Sequence, residues 1–179
     1  MQTIYLARHA SPDWNCTDIP YHIPPGPPLT SLGRLEAAAR GAFLRPAGVS
    51  TILASPLERC QHTAQIVGDI LDLPVVTDEV LTEWQPGESS DALGRRMSRI
   101  FNATWETSAQ NGQQAALLLT HGGPIMELLR RLGMPDKTIE QQRIYDHRNP
   151  MPPAGVWQVS RTDGSASWAL ALVFVPAVA

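Results

Sequence analysis

Apolar positions along the chain follow two rhythms. Short β-branched or unbroken apolar runs occur at residues 3–7, 50–54, 75–77 and 115–120, and their length and composition predict strands. Between them the spacing becomes three and four: Leu32, Leu35, Ala39 and Ala42; Leu57, Cys60, Ala64, Val67 and Leu71; Leu93, Met97, Ile100 and Thr104, with Phe101 and Trp105 beside them; and Ile125, Leu128, Leu129 and Leu132. Each set predicts an amphipathic helix. The punctuation agrees. Thr30 offers an N-cap and Pro46 and Gly48 a stop; Ser55 offers a cap before Pro56 at the first helical position, Pro74 closes that helix, and Glu88-Ser89-Ser90 opens the next. Residues 16–28 hold Pro20, Pro24, Pro25, Pro27 and Pro28, which forbids helix and predicts an ordered, extended loop.

Strand and helix alternation predicts an α/β fold with a mostly parallel central sheet and helices on both faces. After a short helix at 136–143, runs at 155–160 and 168–175, separated by Thr162-Asp163-Gly164-Ser165, predict an antiparallel edge hairpin. The last run is apolar enough that burial beneath a helix is expected.

Composition narrows the partners. The 179 residues suit one domain, and a net charge of −3 lacks the basic excess that draws proteins to nucleic acid or anionic lipid. No apolar stretch reaches membrane-spanning length. Cys16 and Cys60 show no metal-type spacing, and Met1-Gln2-Thr3-Ile4 has no secretory character, so a reduced, cytoplasmic domain without a cofactor is the expectation. The pattern carries no signal of oligomeric state.

Candidate chemistry lies where strands hand over to helices. Arg8-His9 follows the first strand, Arg59 lies in the first helical turn after the second, and His121 follows the run at 115–120. Ligands of open α/β sheets bind at the carboxyl ends of the strands. Two arginines, two histidines and helix N-termini on one edge describe a site for an anion, most naturally phosphate.

The residues around these positions carry a resemblance. Leu6-Ala7-Arg8-His9-Ala10 with Trp14-Asn15, then Pro28-Leu29-Thr30-Ser31-Leu32-Gly33-Arg34, Ser55-Pro56-Leu57-Glu58-Arg59-Cys60-Gln61-His62-Thr63-Ala64, and Thr120-His121-Gly122-Gly123 are similar, in order and spacing, to the signatures of the histidine phosphatase superfamily, the phosphoglycerate mutase-like enzymes. The resemblance implies a three-layer fold and a phosphohistidine intermediate on His9. It also implies Arg8, Arg59, His121 and Asn15 as phosphate contacts, and Glu83, in Leu81-Thr82-Glu83-Trp84, as the proton donor and acceptor. Glu79 and Asp78 stay open as competitors for that role. Cationic neighbours are expected to keep His9 neutral and a bound phosphate to raise Glu83. Ala10 and Ser11-Pro12 depart from the family's commoner Gly and acidic residue.

Gly87-Glu88-Ser89 resembles the family's segment at the start of its long helix, and only Trp84, Gln85 and Pro86 separate it from Glu83. The resemblance therefore implies one domain over 1–179 without a cap insertion, and an open site for a small phosphoester or a phosphoprotein. Tyr21 and His22, in the Pro-rich loop, are expected at its border. A metal-independent phosphomonoesterase is the leading expectation. A mutase and a non-catalytic phosphate-binding module are the alternatives. A zinc hydrolase lacks its HExxH or Cys/His spacing.

Overall fold

Alternate residues of β1 (Gln2–Arg8) point to opposite faces, and both faces are apolar: Ile4 and Leu6 on one, Tyr5 and Ala7 on the other. The same holds for β4 (Ala115–Thr120), every residue of which is buried. Such strands need cover on two sides. In the computed structural model, which describes residues 2–161 and 165–177, they receive it. The remaining elements are α1 (Ser31–Leu44), β2 (Val49–Ala54), α2 (Glu58–Leu71), β3 (Val75–Thr77), α3 (Ser90–Gln110), α4 (Gly122–Arg131), α5 (Asp136–Gln141), β5 (Val156–Arg161) and β6 (Ala169–Phe174). The six strands form one sheet in the order β3-β2-β4-β1-β5-β6. β1 to β4 are parallel, and β5 is antiparallel to both neighbours.

One apolar cluster joins Ile4, Leu6 and Leu118 to Leu93, Met97 and Phe101 of α3 and to Ile125, Leu128 and Leu129 of α4. The other joins Tyr5, Ala7, Leu117 and Leu119 to Leu44 of α1 and to Cys60, Ala64 and Val67 of α2. The architecture is thus three-layered, helices over both faces of a mostly parallel sheet, as the alternation predicts.

Four details correct the sequence reading. The inner face of α1 is not the Leu32/Leu35 stripe: those leucines are 42% and 69% exposed, while Gly33, Glu36, Ala37, Arg40, Gly41 and Leu44 turn inward. The first part of α1 lies over the polar stretch after β1, so its buried positions before Leu44 are small or hydrogen-bonding. A Cβ at Gly33 would collide with the Ser11 carbonyl. At α2 the N-cap is Leu57, and the end is Asp72 in the left-handed region, before Pro74 is reached. Ser55 is freed from capping for another task. β6 is an exposed edge with no fully buried residue. The rings at its two ends pack on opposite layers, Trp168, just before the strand, against Phe101 and Trp105 of α3 and Phe174, its last residue, against Phe43 of α1. Of the predicted hairpin turn, residues 162–164 lie outside the described residues.

Candidate active site

Parallel register brings the chemistry together. Arg8 pairs with Thr120 and Ala54 with Leu119, so β1, β2 and β4 end side by side. The next residues are still tied to β4: the backbone amide of His9 donates to the Thr120 carbonyl at 3.0 Å, and that of Ser55 to the Leu119 carbonyl at 3.0 Å. Arg8, His9, Arg59 and His121 consequently converge, all but removed from solvent, with exposures of 2%, 0%, 0% and 0%.

The hydrogen bonds fix which nitrogens carry protons. His9 Nδ1 lies 2.8 Å from the Ala10 carbonyl, which can only accept, so the ring hydrogen sits on Nδ1 and Nε2 keeps its lone pair. Burial, then the charges of Arg8 and Arg59, hold the His9 pKa well below its ordinary value. His121 has the opposite tautomer. Its Nδ1 accepts from Arg59 at 3.1 Å, leaving the hydrogen on Nε2, 2.8 Å from the Ser55 hydroxyl. Burial and Arg59 likewise depress its pKa. The expected role of His121 as a phosphate donor is therefore not what this arrangement displays: its single hydrogen is directed at Ser55.

Arg8 is gripped end-on by Asp146, at 2.6 and 2.8 Å, and by the Met151 carbonyl at 2.7 Å. Arg59 donates to the Tyr21 carbonyl at 2.7 Å and lies 3.6 Å from the Glu83 carboxylate. The Nε donors of both arginines are buried and unpartnered. Buried donors without acceptors are uncommon, and here two of them belong to cations in one cluster. An anion is the ligand they fit. Among the described residues no three His, Cys, Asp or Glu side chains are grouped to hold a metal ion.

Glu83 follows a 3-10 turn at Glu79–Leu81 and lies 3.5 Å from His121 Nδ1. Burial raises its pKa, against the opposing hydrogen bond from the Trp84 amide and the charges of Arg59 and Arg8. Arg96 of α3 clamps the segment, donating to the carbonyls of Val80, Thr82 and Glu83 and to the Glu88 carboxylate. Of the competing carboxylates, Asp78 caps the 3-10 turn through the Val80 amide.

A family model, the histidine phosphatase superfamily (branch 1), matches residues 4–92, from β1 into α3. The chain belongs to the histidine phosphatase superfamily. Within this superfamily its curated relatives include the uncharacterized phosphatase PhoE of Bacillus subtilis, 23% identical over 172 residues covering 82% of this chain and 85% of the relative. A probable phosphoglycerate mutase, GpmB of Yersinia pestis, is 29% identical over 178 residues, 80% of this chain and 81% of the relative. The mycobacterial glucosyl-3-phosphoglycerate phosphatase Rv2419c, solved in complex with VO3, superposes with a TM-score of 0.75 at 22% identity, covering 98% of this chain and all of that one.

For a histidine phosphatase fold, the site has two unforeseen features. Asn15 is exposed and spends its amide on Asp13 at 3.0 Å, so it is not gathered with the arginines. Asp13 Oδ1 also accepts from the Asn15 backbone amide at 3.0 Å, an Asx turn in the loop after β1. The expected open site is closed: Tyr21 places its hydroxyl 3.2 Å from His9 Nε2, and His22, beside it, gives only its carbonyl to Gln85. Around this centre stand residues to which the motifs assigned no role. Glu36 accepts from the amide and hydroxyl of Ser11, Thr63 accepts from the Ala10 amide, and Arg40, wholly buried, donates to the Arg8 carbonyl at 2.6 Å. Burial without a carboxylate partner lowers Arg40 to about 10, so it still carries its charge at neutral pH.

Proposed function

We propose that this chain is a metal-independent phosphomonoesterase that passes the phosphoryl group of a small phosphoester or phosphoprotein through His9. The observation that carries this reading is the state of His9: Nδ1–H tied to the Ala10 carbonyl, Nε2 holding a lone pair, and a pKa kept low. Nε2 attacks phosphorus, and the bond to the leaving oxygen breaks as that oxygen takes the proton of Glu83. Water then attacks the phosphohistidine, Glu83 accepting its proton, and the N–P bond breaks. Arg8 and Arg59, through their unpartnered Nε donors, supply the positive charge that the equatorial oxygens need. Residues 1–179 act in this reading as one domain without a cap.

The test is hydrolysis of p-nitrophenyl phosphate in EDTA, together with trapping of acid-labile phosphate on the protein. Wild type turns over and labels; His9→Ala does neither. Loss of activity on chelation, or labelling that survives in His9→Ala, overturns the reading. A mutase is the second reading, favoured by the complete burial of His9, since a retained phosphohistidine must be shielded from water. Transfer of the trapped phosphoryl group to an added hydroxy acid faster than to water would select it.

A further inference from the structure

The nucleophilic nitrogen of His9 is already occupied. The Tyr21 hydroxyl donates to Nε2 at 3.2 Å, within the 3–3.5 Å at which a reacting phosphorus is held before attack. Arg59, Glu83 and Arg8 are the charged groups around that hydroxyl. The oxygen of Tyr21 therefore stands where a substrate's phosphoryl group must come. It is a poor substitute for one, because it leaves the Nε donors of Arg8 and Arg59 unsatisfied.

Tyr21 is held there by contacts outside the phosphate chemistry. Its ring lies against the Arg59 guanidinium, 3.8 Å from the centroid, and stacks on Trp14 at 4.9 Å and 15°. Trp14, 42% exposed, meets His147 edge-on at 4.3 Å. His147 follows Asp146, the residue that grips Arg8. Loop 16–28 and the segment around residue 146 thus close the site from two sides and touch each other through Trp14. No helix or strand contains Tyr21, so its departure breaks no regular element.

Resting on the phosphatase reading above, we propose that Tyr21 is a specificity-determining plug, whose hydroxyl holds the phosphoryl position on His9 until a phosphate group displaces it. Selection follows from the count of partners. Water or an uncharged hydroxyl compound offers His9 the single hydrogen bond that Tyr21 already gives and gains little at the arginines. A tetrahedral anion brings several acceptor oxygens and a charge to both orphaned guanidinium edges. The plug excludes water from His9 in the resting state and yields to phosphate. As it leaves, the Tyr21 ring comes off Trp14.

Tyr21→Phe keeps the ring and its stack and removes only the hydroxyl. Calorimetric titration with inorganic phosphate is expected to show binding about threefold to tenfold tighter for Tyr21→Phe than for wild type, the scale of one net hydrogen bond. Tryptophan emission of the wild type changes on saturation with phosphate, and Trp14→Phe removes that change. Equal or weaker phosphate binding by Tyr21→Phe overturns the plug, the hydroxyl then being a phosphate ligand. So does a Trp14 emission that is indifferent to bound phosphate. Either result, with phosphate still binding, leaves the phosphatase reading standing. Absence of phosphate binding in both wild type and Tyr21→Phe brings down that reading and the plug with it.

Discussion

Arg59 donates to Nδ1 of His121 at 3.1 Å, and because a guanidinium nitrogen only donates, this one bond decides the tautomer of the imidazole. The remaining ring hydrogen must lie on Nε2, where Ser55 receives it at 2.8 Å. Arg59, His121 and Ser55 form a chain with its polarity fixed from end to end.

Ser55→Ala removes the terminus of that chain and leaves a buried N–H without a partner. The expected cost is about 1–3 kcal/mol of folding stability, read from urea denaturation. Nitrogen chemical shifts of His121 keep the single-tautomer signature of wild type, because Arg59 still holds Nδ1 as an acceptor. A stability change below a few tenths of a kcal/mol would mean that water takes over from Ser55.

The rate should favour acid pH. His9, its pKa depressed, stays neutral and nucleophilic well below its ordinary titration range, while Glu83, its pKa raised by burial, keeps the leaving-group proton above the usual carboxylate range. For an alkyl phosphate, kcat/KM holds through mildly acid pH and falls as Glu83 ionises. For p-nitrophenyl phosphate, whose leaving group needs no proton, the alkaline fall is shallow. Glu83→Gln should flatten that limb for the alkyl ester and cut its rate by roughly 100-fold or more. A pH profile unchanged in Glu83→Gln would move the proton to another group.

Folding stability should fall on acidification through the histidine range. His9 and His121 have depressed pKa values in the folded state, so below pH about 6.5 the unfolded chain binds protons that the native one refuses. Each such group removes up to about 1.4 kcal/mol per pH unit there. Glu83, raised in the folded state, works the other way at lower pH, where the native chain holds the extra proton. The check is the urea midpoint at pH 7.5, 6.5 and 5.5. His121→Asn should reduce the slope.

Asp146→Ala deprives the nearly buried Arg8 of the carboxylate that grips it. Breaking a buried pair from one side costs about 3–5 kcal/mol, and with Asp146 22% exposed a loss of about 2–3 kcal/mol is expected. KM for a phosphomonoester rises in parallel, since the Met151 carbonyl alone no longer aims Arg8. Wild-type stability and KM in the variant would show that Asp146 is incidental.

What was legible in the sequence had local marks. Arg8-His9, Arg59 and His121 each follow an apolar run, and parallel strands necessarily deliver such ends to one edge. The face of α1 had a misleading mark. Leu32 and Leu35 keep helical spacing, yet the helix lies over the Ser11 backbone and the Arg8 carbonyl, so Glu36 and Arg40 are wanted inside. Periodicity presumes an apolar neighbour and fails where the neighbour is polar backbone. Asp146 had no mark at all. It meets Arg8 across 138 positions, from a segment in which His147 and Arg148 adopt left-handed backbone, and neither pattern nor motif reports such a pairing. Tyr21 was placed by its loop near the site, but its contact with His9 is set by stacking on Trp14 and Arg59, which only the folded chain displays.

Cys60 lies behind His121, its sulfur 3.6 Å from Nε2, and burial pushes its thiol up to about 12. Oxidants attack thiolates, and at that value the sulfur stays protonated at any physiological pH. With His9 as the proposed nucleophile and the thiol behind its neighbour His121 silent, phosphatase activity is expected to survive peroxide that would disable a cysteine-dependent hydrolase.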